Sequence, residues 1–249
     1  MDKQRLLFLA ILLVVTISIA SSVLANTSSH ARVVSLSLIR GTVIARTVGS
    51  PKWARADLNM PIQQGVSIAT ARQSLAEVQF ENGSTVRLGE LSRIDFMQMG
   101  SAPRNNEHFN NLNLAFGFAT INVIPKRHDE YVLTTSIAAL MPDGKTEFRT
   151  DLSHGHLRVE VFNGRVRAVH YHQSVQLKRN YVLTCDYGLS RLFQVTDTIQ
   201  MDKWDTWVET RNREAAYSSP GPGKYEWEND LIPFGGVGAL PGTFAGDVF

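Results

Sequence analysis

Residues 65–88, GVSIATARQSLAEVQFENGSTVRL, decide the fold of this chain. Over residues 76–81 apolar and polar side chains alternate strictly, which is typical of a β-strand with one buried face. The pair Asn82-Gly83 follows, and Val86 and Leu88 continue the apolar alternation after it. Asn-Gly between two alternating runs predicts a β-hairpin, because both residues of its tight turn adopt positive φ.

The polar residues of this stretch raise the question of a reactive site. Ser74 and Ser84 could supply a nucleophile, and Glu77 and Glu81 could supply paired acids for glycoside hydrolysis. However, the chain has no G-x-S-x-G motif, no glycine-rich phosphate loop and no dinucleotide fingerprint. Period two places both glutamates on the polar face of the strand, where we expect them to meet water. We therefore expect no enzyme activity and no catalytic or cofactor-binding residue.

The same turn signal returns at Asp143-Gly144 and at Asn163-Gly164, and both positions predict further hairpins. Short alternating strands run from Arg32 to Tyr187 without a long helical period. The pattern predicts an all-β domain over residues 32–190, built as a twisted sheet or a β-solenoid with one wet face per strand. A weak internal repeat favours stacked turns. Its copies are IRGTVIA (39–45), ENGSTVRL (81–88) and FNGRVRA (162–168).

The start of the chain resembles a secretory signal. Lys3 and Arg5 precede the uncharged apolar run Leu6–Ala20, and we expect cleavage after Ala25. An uncleaved anchor is the alternative, because Leu6–Ala25 is about 20 residues long and could cross a bilayer as a helix. Both alternatives predict a periplasmic or otherwise extracytoplasmic protein.

Net charge and cysteine content exclude several classes of function. The formal net charge of +2 favours neither nucleic acid nor an acidic polymer as a partner. Cys185 is the single cysteine of the sequence, so the chain cannot form an internal disulfide. We expect Cys185 to be buried in a strand, and the fold to be held by its core and by strand pairing.

The remaining segments have distinct compositions. Residues 100–113 are rich in asparagine and predict a surface loop. Residues 198–216 have apolar spacings of three and four, which predict one amphipathic helix. Residues 217–249 are dense in glycine and proline and predict a flexible tail. Trp204 and Trp207 of the helix could pack on the β-domain or present an aromatic stripe for sugars.

Four histidines in two H-x-H pairs are the candidate metal ligands: His154, His156, His170 and His172. Side chains two apart in a strand share a face, and imidazole suits zinc and copper. A two-residue turn at Asn163-Gly164 would separate the pairs on opposite faces, whereas a three-residue loop would bring His156 opposite His172. Because no carboxylate or cysteine stands nearby to orient the ligands, we expect no metal and no cofactor.

One series of residues has an order and spacing that carry a family resemblance. Its members are Gly41, Val43, Trp53, Gly65, Ile68, Ala69, Thr70, Ser74, Ala76, Val78, Phe80, Asn82, Gly83, Ser84, Val86 and Leu88. The series is similar to the FecR domain, the extracytoplasmic domain of ferric-citrate-type sensors, which also occurs alone in exported bacterial proteins. The resemblance covers about residues 41–96 and is vaguer over 112–187.

The resemblance implies a non-enzymatic, all-β module that binds an envelope protein and carries a signal. Only five residues precede the apolar run, so we expect a free-standing exported form that lacks the sigma-binding segment of the full sensors. A cell-wall or polysaccharide-binding module and a metal-binding envelope protein that uses the histidine pairs are the alternative functions.

Overall fold

The computed structural model describes residues 34–101, 108–126, 129–186 and 193–218. The expected signal or anchor (1–25), nearly all of the expected tail, and residues 102–107 of the expected loop lie outside the described residues. The chain divides into two units, Met1–Met201 and Asp202–Phe249. In the described residues the first unit consists of strands and the second contains one helix, which confirms the all-β class with a short C-terminal helix.

The strands follow one another in this order: β1 Val34–Arg40, β2 Val43–Arg46, β3 Ala54–Arg55, β4 Ser67–Thr70, β5 Leu75–Phe80, β6 Thr85–Leu88, β7 Arg93–Ser101, β8 His108–Val123, β9 Asp129–Thr134, β10 Ala139–Ser153, β11 His156–His170, β12 Gln173–Lys178, β13 Val182–Asp186 and β14 Gln194–Thr196. The helix α1 spans Lys203–Ser218. Together the strands form one open, twisted sheet, so of the two forms that the sequence left open the structure has the twisted sheet. The pairs of named strands are antiparallel apart from β8 with β9, which run parallel.

Three long strands, β8, β10 and β11, hold the sheet together because each pairs with different neighbours at its two ends. β8 pairs with β7 and β9 through residues 108–116 and with β6 and β10 through residues 117–123. β11 pairs with β13 near its start and with β12 near its end. These strands connect a first half-sheet (β1, β5, β6, β13, β14) with a second half-sheet (β2, β3, β4, β7, β9, β12).

The apolar positions of the alternating strands form one core. Leu36, Val78 and Leu88 of the first half-sheet and Ile68 and Ile94 of the second are fully buried and belong to a single hydrophobic cluster. Burying one such side chain stabilises the fold by about 1.5–3 kcal/mol. The period-two pattern in the sequence therefore identified the residues of the core correctly.

Two of the three predicted hairpins are wrong. Asp143-Gly144 lies inside β10 and Asn163-Gly164 inside β11, and the two strands pair with each other across these positions. Asp143 is opposite Arg165 and Glu147 is opposite Asn163, so three residues of β10 face only Gly164 of β11. Such an insertion is a β-bulge, which bends both strands. The glycine of an Asn-Gly or Asp-Gly pair can adopt positive φ in a bulge as well as in a turn. The pair alone therefore does not distinguish a bulge from a hairpin.

The hairpin at Asn82-Gly83 is confirmed, but its loop differs from the predicted one. Gly83 has φ 86°, whereas Asn82 is not among the residues with positive φ. The Gly83 amide donates to the Phe80 carbonyl, and the Phe80 amide donates to the Ser84 carbonyl, at 2.9 Å each. The connection is therefore a three-residue loop, in which a glycine with positive φ follows an ordinary turn.

Helix α1 begins five residues later than predicted and ends at Ser218. Asp202 stands before its first turn. The Asp205 amide donates to Asp202 Oδ1 and the Asp202 amide donates to Asp205 Oδ2, at 3.0 Å each. This reciprocal capping satisfies two amides that lack partners within the helix. Asp202 is therefore the N-cap of α1.

Replacing Gly164 by alanine tests the bend between the half-sheets. An added Cβ would lie 2.4 Å from the Lys145 carbonyl oxygen, and φ is +77°. Gly144 is the matched control, because it has φ +69° and open space around the Cβ position. The positive φ costs an alanine about 1–2 kcal/mol, so we expect a loss of about 1 kcal/mol for Gly144→Ala and about 3 kcal/mol or more for Gly164→Ala. Chemical denaturation measures both, and equal losses would contradict this account of the bulge.

Candidate functional site

A row of polar residues crosses the first half-sheet from strand to strand. Glu77 of β5 is opposite Arg87 of β6, which is opposite Thr120 of β8. Thr120 is opposite Arg149 of β10, and Arg149 is opposite Glu160 of β11. We call these five residues the Glu77 ladder. Directly opposite residues of a sheet share a face, so charges of opposite sign meet along this row.

The Glu77–Arg87 pair is buried, which corrects the expectation that Glu77 faces water. Arg87 Nε lies 2.6 Å from Glu77 Oε2, and the side chains are 1% and 4% exposed. Ser37 of β1 donates to Glu77 Oε1 at 2.9 Å. A lone hairpin would leave this face open, but β1 and β8 flank the β5–β6 hairpin on both sides. Only the tertiary pairing of strands takes the pair out of water.

The serines of the quoted stretch do not form a reactive site. Ser74 and Ser84 are 4% and 1% exposed. Ser74 Oγ accepts the Thr42 amide at 2.9 Å, and Ser84 Oγ accepts the Ile124 amide at 2.8 Å. Both hydroxyls thus satisfy buried backbone groups. Glu81 is exposed beside the turn and therefore fits its predicted environment.

A second polar row crosses the other half-sheet. Arg46, Ser67, Asp95, Asn113 and Thr134 are directly opposite one another on β2, β4, β7, β8 and β9. Arg46 Nη2 donates to Ser67 Oγ at 3.3 Å, and Asn113 Nδ2 donates to Asp95 Oδ2 at 3.3 Å. The second half-sheet therefore has a connected polar row on one face and contributes core residues from the other.

Two arginines lie over the ring of Trp53 beside this row. The guanidinium carbons of Arg46 and Arg93 are 5.3 and 5.4 Å from the centre of the Trp53 ring. Arg93 is held by Asp95, whose Oδ1 accepts from Nε at 3.0 Å. All three members of this Trp53 stack are half-buried, so their remaining surface faces solvent. A cation over an indole face is attracted by about 0.5–1 kcal/mol at such a site.

The four candidate metal ligands do not come together. His154 and His172 are exposed in the two-residue loops that begin and end β11, while His156 and His170 are its first and last residues. The pairs are thus separated by the whole length of β11, roughly 46 Å along the bent strand. Both registers considered from the sequence required a turn at Asn163-Gly164, which the structure replaces with a bulge. Within the described ranges, no group of three or more His, Cys, Asp or Glu residues could hold a metal ion.

Three of the four histidines have a local partner instead. His154 has φ 48° in its turn, and its Nδ1 lies 2.8 Å from Ser153 Oγ. His156 Nδ1 lies 2.5 Å from Asp186 Oδ1 on the neighbouring strand β13. His170 is buried, and its Nδ1 contacts the Ile137 carbonyl.

A buried carboxylate beside the Asn82 loop was missed from the sequence. Asp129 is 1% exposed in its side chain and lies 3.0 Å from His108 Nδ1. Asn82 Nδ2 donates to Asp129 Oδ2 at 2.7 Å and to the Tyr131 hydroxyl at 2.8 Å. Asp129 thus fixes the loop on the end of β9. These residues are far apart in the sequence, and the parallel pairing of β8 with β9 places His108 opposite Asp129.

The two tryptophans of α1 pack on one another. The ring centres of Trp204 and Trp207 are 4.9 Å apart with an interplanar angle of 35°, and both side chains are half-buried. Each ring therefore has part of one face occupied by the other ring. An aromatic stripe for sugars needs open ring faces, so this geometry gives the sugar-binding alternative no support.

Comparison with known proteins finds a similarity within the β-unit. Residues 66–167 match the family model "FecR protein". This part of the chain is therefore similar to the FecR family, as the sequence resemblance indicated. No curated protein matches the chain's sequence.

Two crystal structures of one candidate anti-sigma factor from Parabacteroides distasonis are similar to this chain. The first is 14% identical with a TM-score of 0.48, over 57% of this chain and 64% of the solved chain. The second is 14% identical with a TM-score of 0.46, over 57% and 63%. The similarity thus spans less than two thirds of those chains. In the part of the chain that the structure describes, no helix has the length and apolar character needed to cross a membrane.

The Glu77–Arg87 pair is testable through its burial. We expect Glu77→Ala to lower the free energy of unfolding by about 3–5 kcal/mol, because it leaves the Arg87 charge buried without its partner. Arg165→Ala is the matched control, since the Arg165–Asp143 pair is about 60% exposed and an exposed pair contributes about 1 kcal/mol or less. Urea denaturation measures both variants, and a small loss for Glu77→Ala would show that water reaches Arg87.

Because of Cys185, we expect the free energy of unfolding to decrease at alkaline pH. The residue is buried in β13 as expected, and burial, followed by the adjacent Asp186 carboxylate, raises the pKa of its thiol above the ordinary value. The native state therefore keeps the thiol proton at a pH where the unfolded chain has released it. This contribution is fully present below the unfolded pKa and is lost as pH rises through the folded pKa.

We expect the free energy of unfolding to fall as pH rises above about 8.5, the ordinary pKa of a cysteine thiol, by at most about 1.4 kcal/mol per pH unit from this one group. Urea titrations at several pH values measure the slope. In Cys185→Ala the slope should be shallower over the same range. Identical slopes in the two proteins would contradict a raised thiol pKa.

Proposed function

We propose that this protein is an exported, non-enzymatic FecR module that binds a protein partner in the cell envelope through the Trp53 stack. The single observation that carries the proposal is the half-exposed tryptophan with Arg46 and Arg93 over its ring. Tryptophan and arginine are the residues most enriched at the energetic centres of protein interfaces. The hydrogen bonds that Arg46 donates to Ser67 and that Arg93 donates to Asp95 fix both arginines before any partner arrives, which lowers the entropy cost of binding.

The surroundings of the stack favour a partner with carboxylate side chains. Lys52 and Arg55 are exposed next to Trp53, in addition to the partly exposed guanidinium groups of the stack. Asp95 is turned towards Arg93 and is only 14% exposed in its side chain. An apolar ring surrounded by cations suits a surface in which an apolar side chain is flanked by acidic ones.

The location at the end of the sheet supports the same surface. β3 is the last strand on this side of the sheet, and its residues Ala54 and Arg55 are both exposed. The charged start of the chain followed by Leu6–Ala20 supports export. The absence of a reactive arrangement around Ser74, Ser84 and Glu77 agrees with a binding function.

Crosslinking in intact envelopes, followed by capture of the tagged protein, tests this function. We expect one crosslinked partner from the unchanged protein, and at least tenfold less of it from Trp53→Ala, because truncating a central interface residue costs about 2 kcal/mol or more. Raising the ionic strength should weaken the interaction, because solvent-exposed charges are screened by salt.

Tyr181→Ala is the matched control, since Tyr181 is 38% exposed and lies away from the stack in the turn before β13. It should retain the partner in full. Arg46→Glu provides a second variant that reverses one charge, and it should lose the partner while its thermal unfolding shows an intact fold. Equal capture by the Trp53, Arg46 and Tyr181 variants would reject the Trp53 stack as the docking surface.

A further inference from the structure

Positive charge is concentrated at one end of the second half-sheet. Residues 161–185 contain four Lys or Arg residues and no Asp or Glu, although the net charge of the whole chain is only +2. The rest of the chain is therefore slightly acidic. The segment runs from the middle of β11 through β12 into β13. It lies at the opposite end of the sheet from β3, which borders the Trp53 stack.

Three of these cations share one face of the sheet. Arg165 of β11 is directly opposite Lys178 of β12, and Arg167 is opposite Gln176. Directly opposite residues share a face, and so do residues two apart in one strand. All three cations are exposed. We call Arg165, Arg167 and Lys178 the basic face.

The basic face has fewer negative charges than positive ones. Arg165 Nη2 lies 3.0 Å from Asp143 Oδ2, but the two side chains are 59% and 60% exposed. Arg167 Nη2 lies 3.1 Å from Met141 Sδ, which is only a weak acceptor. Within the described ranges, neither Arg167 nor Lys178 forms an ion pair with a carboxylate. Because like charges directly opposite one another destabilise a sheet, an external layer of negative charge would relieve the Arg165–Lys178 repulsion.

The two strands of the basic face form a regular ribbon. β11 and β12 pair without a register shift from Arg165, opposite Lys178, to His170, opposite Gln173. Among the described strands β12 pairs with β11 alone, so the ribbon lies at an edge of the half-sheet. The three cations therefore stand in one layer, as contact with several charged groups of a planar surface requires.

The side chains of the basic face match phosphate groups. Arginine forms bidentate hydrogen bonds to phosphate, and lysine binds phosphate as a point charge. On this face β12 also exposes Ser174 and Gln176, which alternate with the half-buried Val175 and the buried Leu177. A protein interface needs an apolar or aromatic centre, where lysine and serine are depleted. The basic face thus fits a layer of phosphates better than a protein surface.

We propose that the basic face docks on a bilayer that contains anionic phospholipids. Each Lys or Arg next to such a surface strengthens binding about fivefold, so three of them together contribute on the order of a hundredfold. Export, as proposed above, brings the domain next to a membrane. The attraction itself does not depend on the Trp53 stack, because the two surfaces belong to different ends of the sheet.

Fluorescence quenching of the whole protein on vesicles tests this docking. A fluorophore is attached at Gln176→Cys, directly opposite Arg167, and the buried Cys185 is replaced by alanine so that only this site reacts. One set of vesicles is phosphatidylcholine, and the other is equal parts of phosphatidylcholine and phosphatidylglycerol. Both carry a lipid with a nitroxide on its headgroup.

We expect quenching of the Gln176 label on the phosphatidylglycerol vesicles only, and less of it at high ionic strength, because salt screens exposed charges. Insertion of the apolar run Leu6–Ala20 would act equally on both vesicles and therefore does not produce this difference. A label at Leu58→Cys is the matched control. Leu58 is 57% exposed in the connection after β3, and its label should not distinguish the two vesicles.

Two double variants locate the docking surface. Arg167→Glu with Lys178→Glu should weaken binding to phosphatidylglycerol vesicles at least about twentyfold. The fold should remain intact in thermal unfolding, because Lys178→Glu places an opposite charge beside Arg165. The matched control is Arg40→Glu with Arg72→Glu, which reverses two exposed cations outside the basic face and changes the net charge equally. It should lose less than about fivefold.

Three results would overturn the proposal. Equal losses in both double variants would show that net charge alone governs binding. Quenching of the Gln176 label that is absent, or the same on both vesicles, would show that the face does not recognise anionic lipid. Capture of an acidic protein that needs Arg167 and Lys178, without quenching specific to phosphatidylglycerol, would make the basic face a protein interface instead.

Discussion

The structure depends on three strands that belong to both halves of the sheet. β8, β10 and β11 can serve two sets of neighbours only if each bends, and each contains a glycine with positive φ: Gly117, Gly144 and Gly164. At Gly117 and Gly164 a Cβ would also collide with the neighbouring backbone. These bends let one hydrophobic cluster draw residues from both half-sheets. The core, the outward polar rows and the ends of β11 all follow from this arrangement.

The wide sheet changes the chemistry of its polar residues. In a sheet of this width the central strands have neighbours on both sides, so Glu77 and Arg87 are buried although they alternate with apolar residues. A buried ion pair adds little net stability compared with an apolar pair, but breaking it leaves an uncompensated charge. A strand shifted by one residue would separate Glu77 from Arg87. The ion pair therefore favours the observed register of β5 and β6 over shifted registers. Trp53, near the edge of the same sheet, keeps part of its surface for a partner.

Local sequence patterns predicted the type of each element better than its connections. Strict alternation identified the strands around residues 75–88, and apolar spacing identified α1 to within a few residues. The glycine signals were ambiguous, because Asn163-Gly164 satisfies the same positive-φ requirement in a bulge as in a hairpin. The two-residue hairpins at His154-Gly155 and Tyr171-His172 lack the Asn-Gly or Asp-Gly pair that signals such a turn. Both histidine pairs were therefore assigned to strand faces, although each spans a turn.

The sequence by itself determined the all-β class, the apolar core positions and the FecR resemblance, because each rests on the order of residues along one or two neighbouring strands. Only the tertiary structure decided which side chains share a site. The Trp53 stack joins β2, β7 and the segment before β3; the Glu77 ladder joins five strands; and His170 meets a loop some thirty residues away in the chain. Such contacts depend on strand order and register, which are set by the bends at the glycines and by burial of one shared core. No local pattern encodes them.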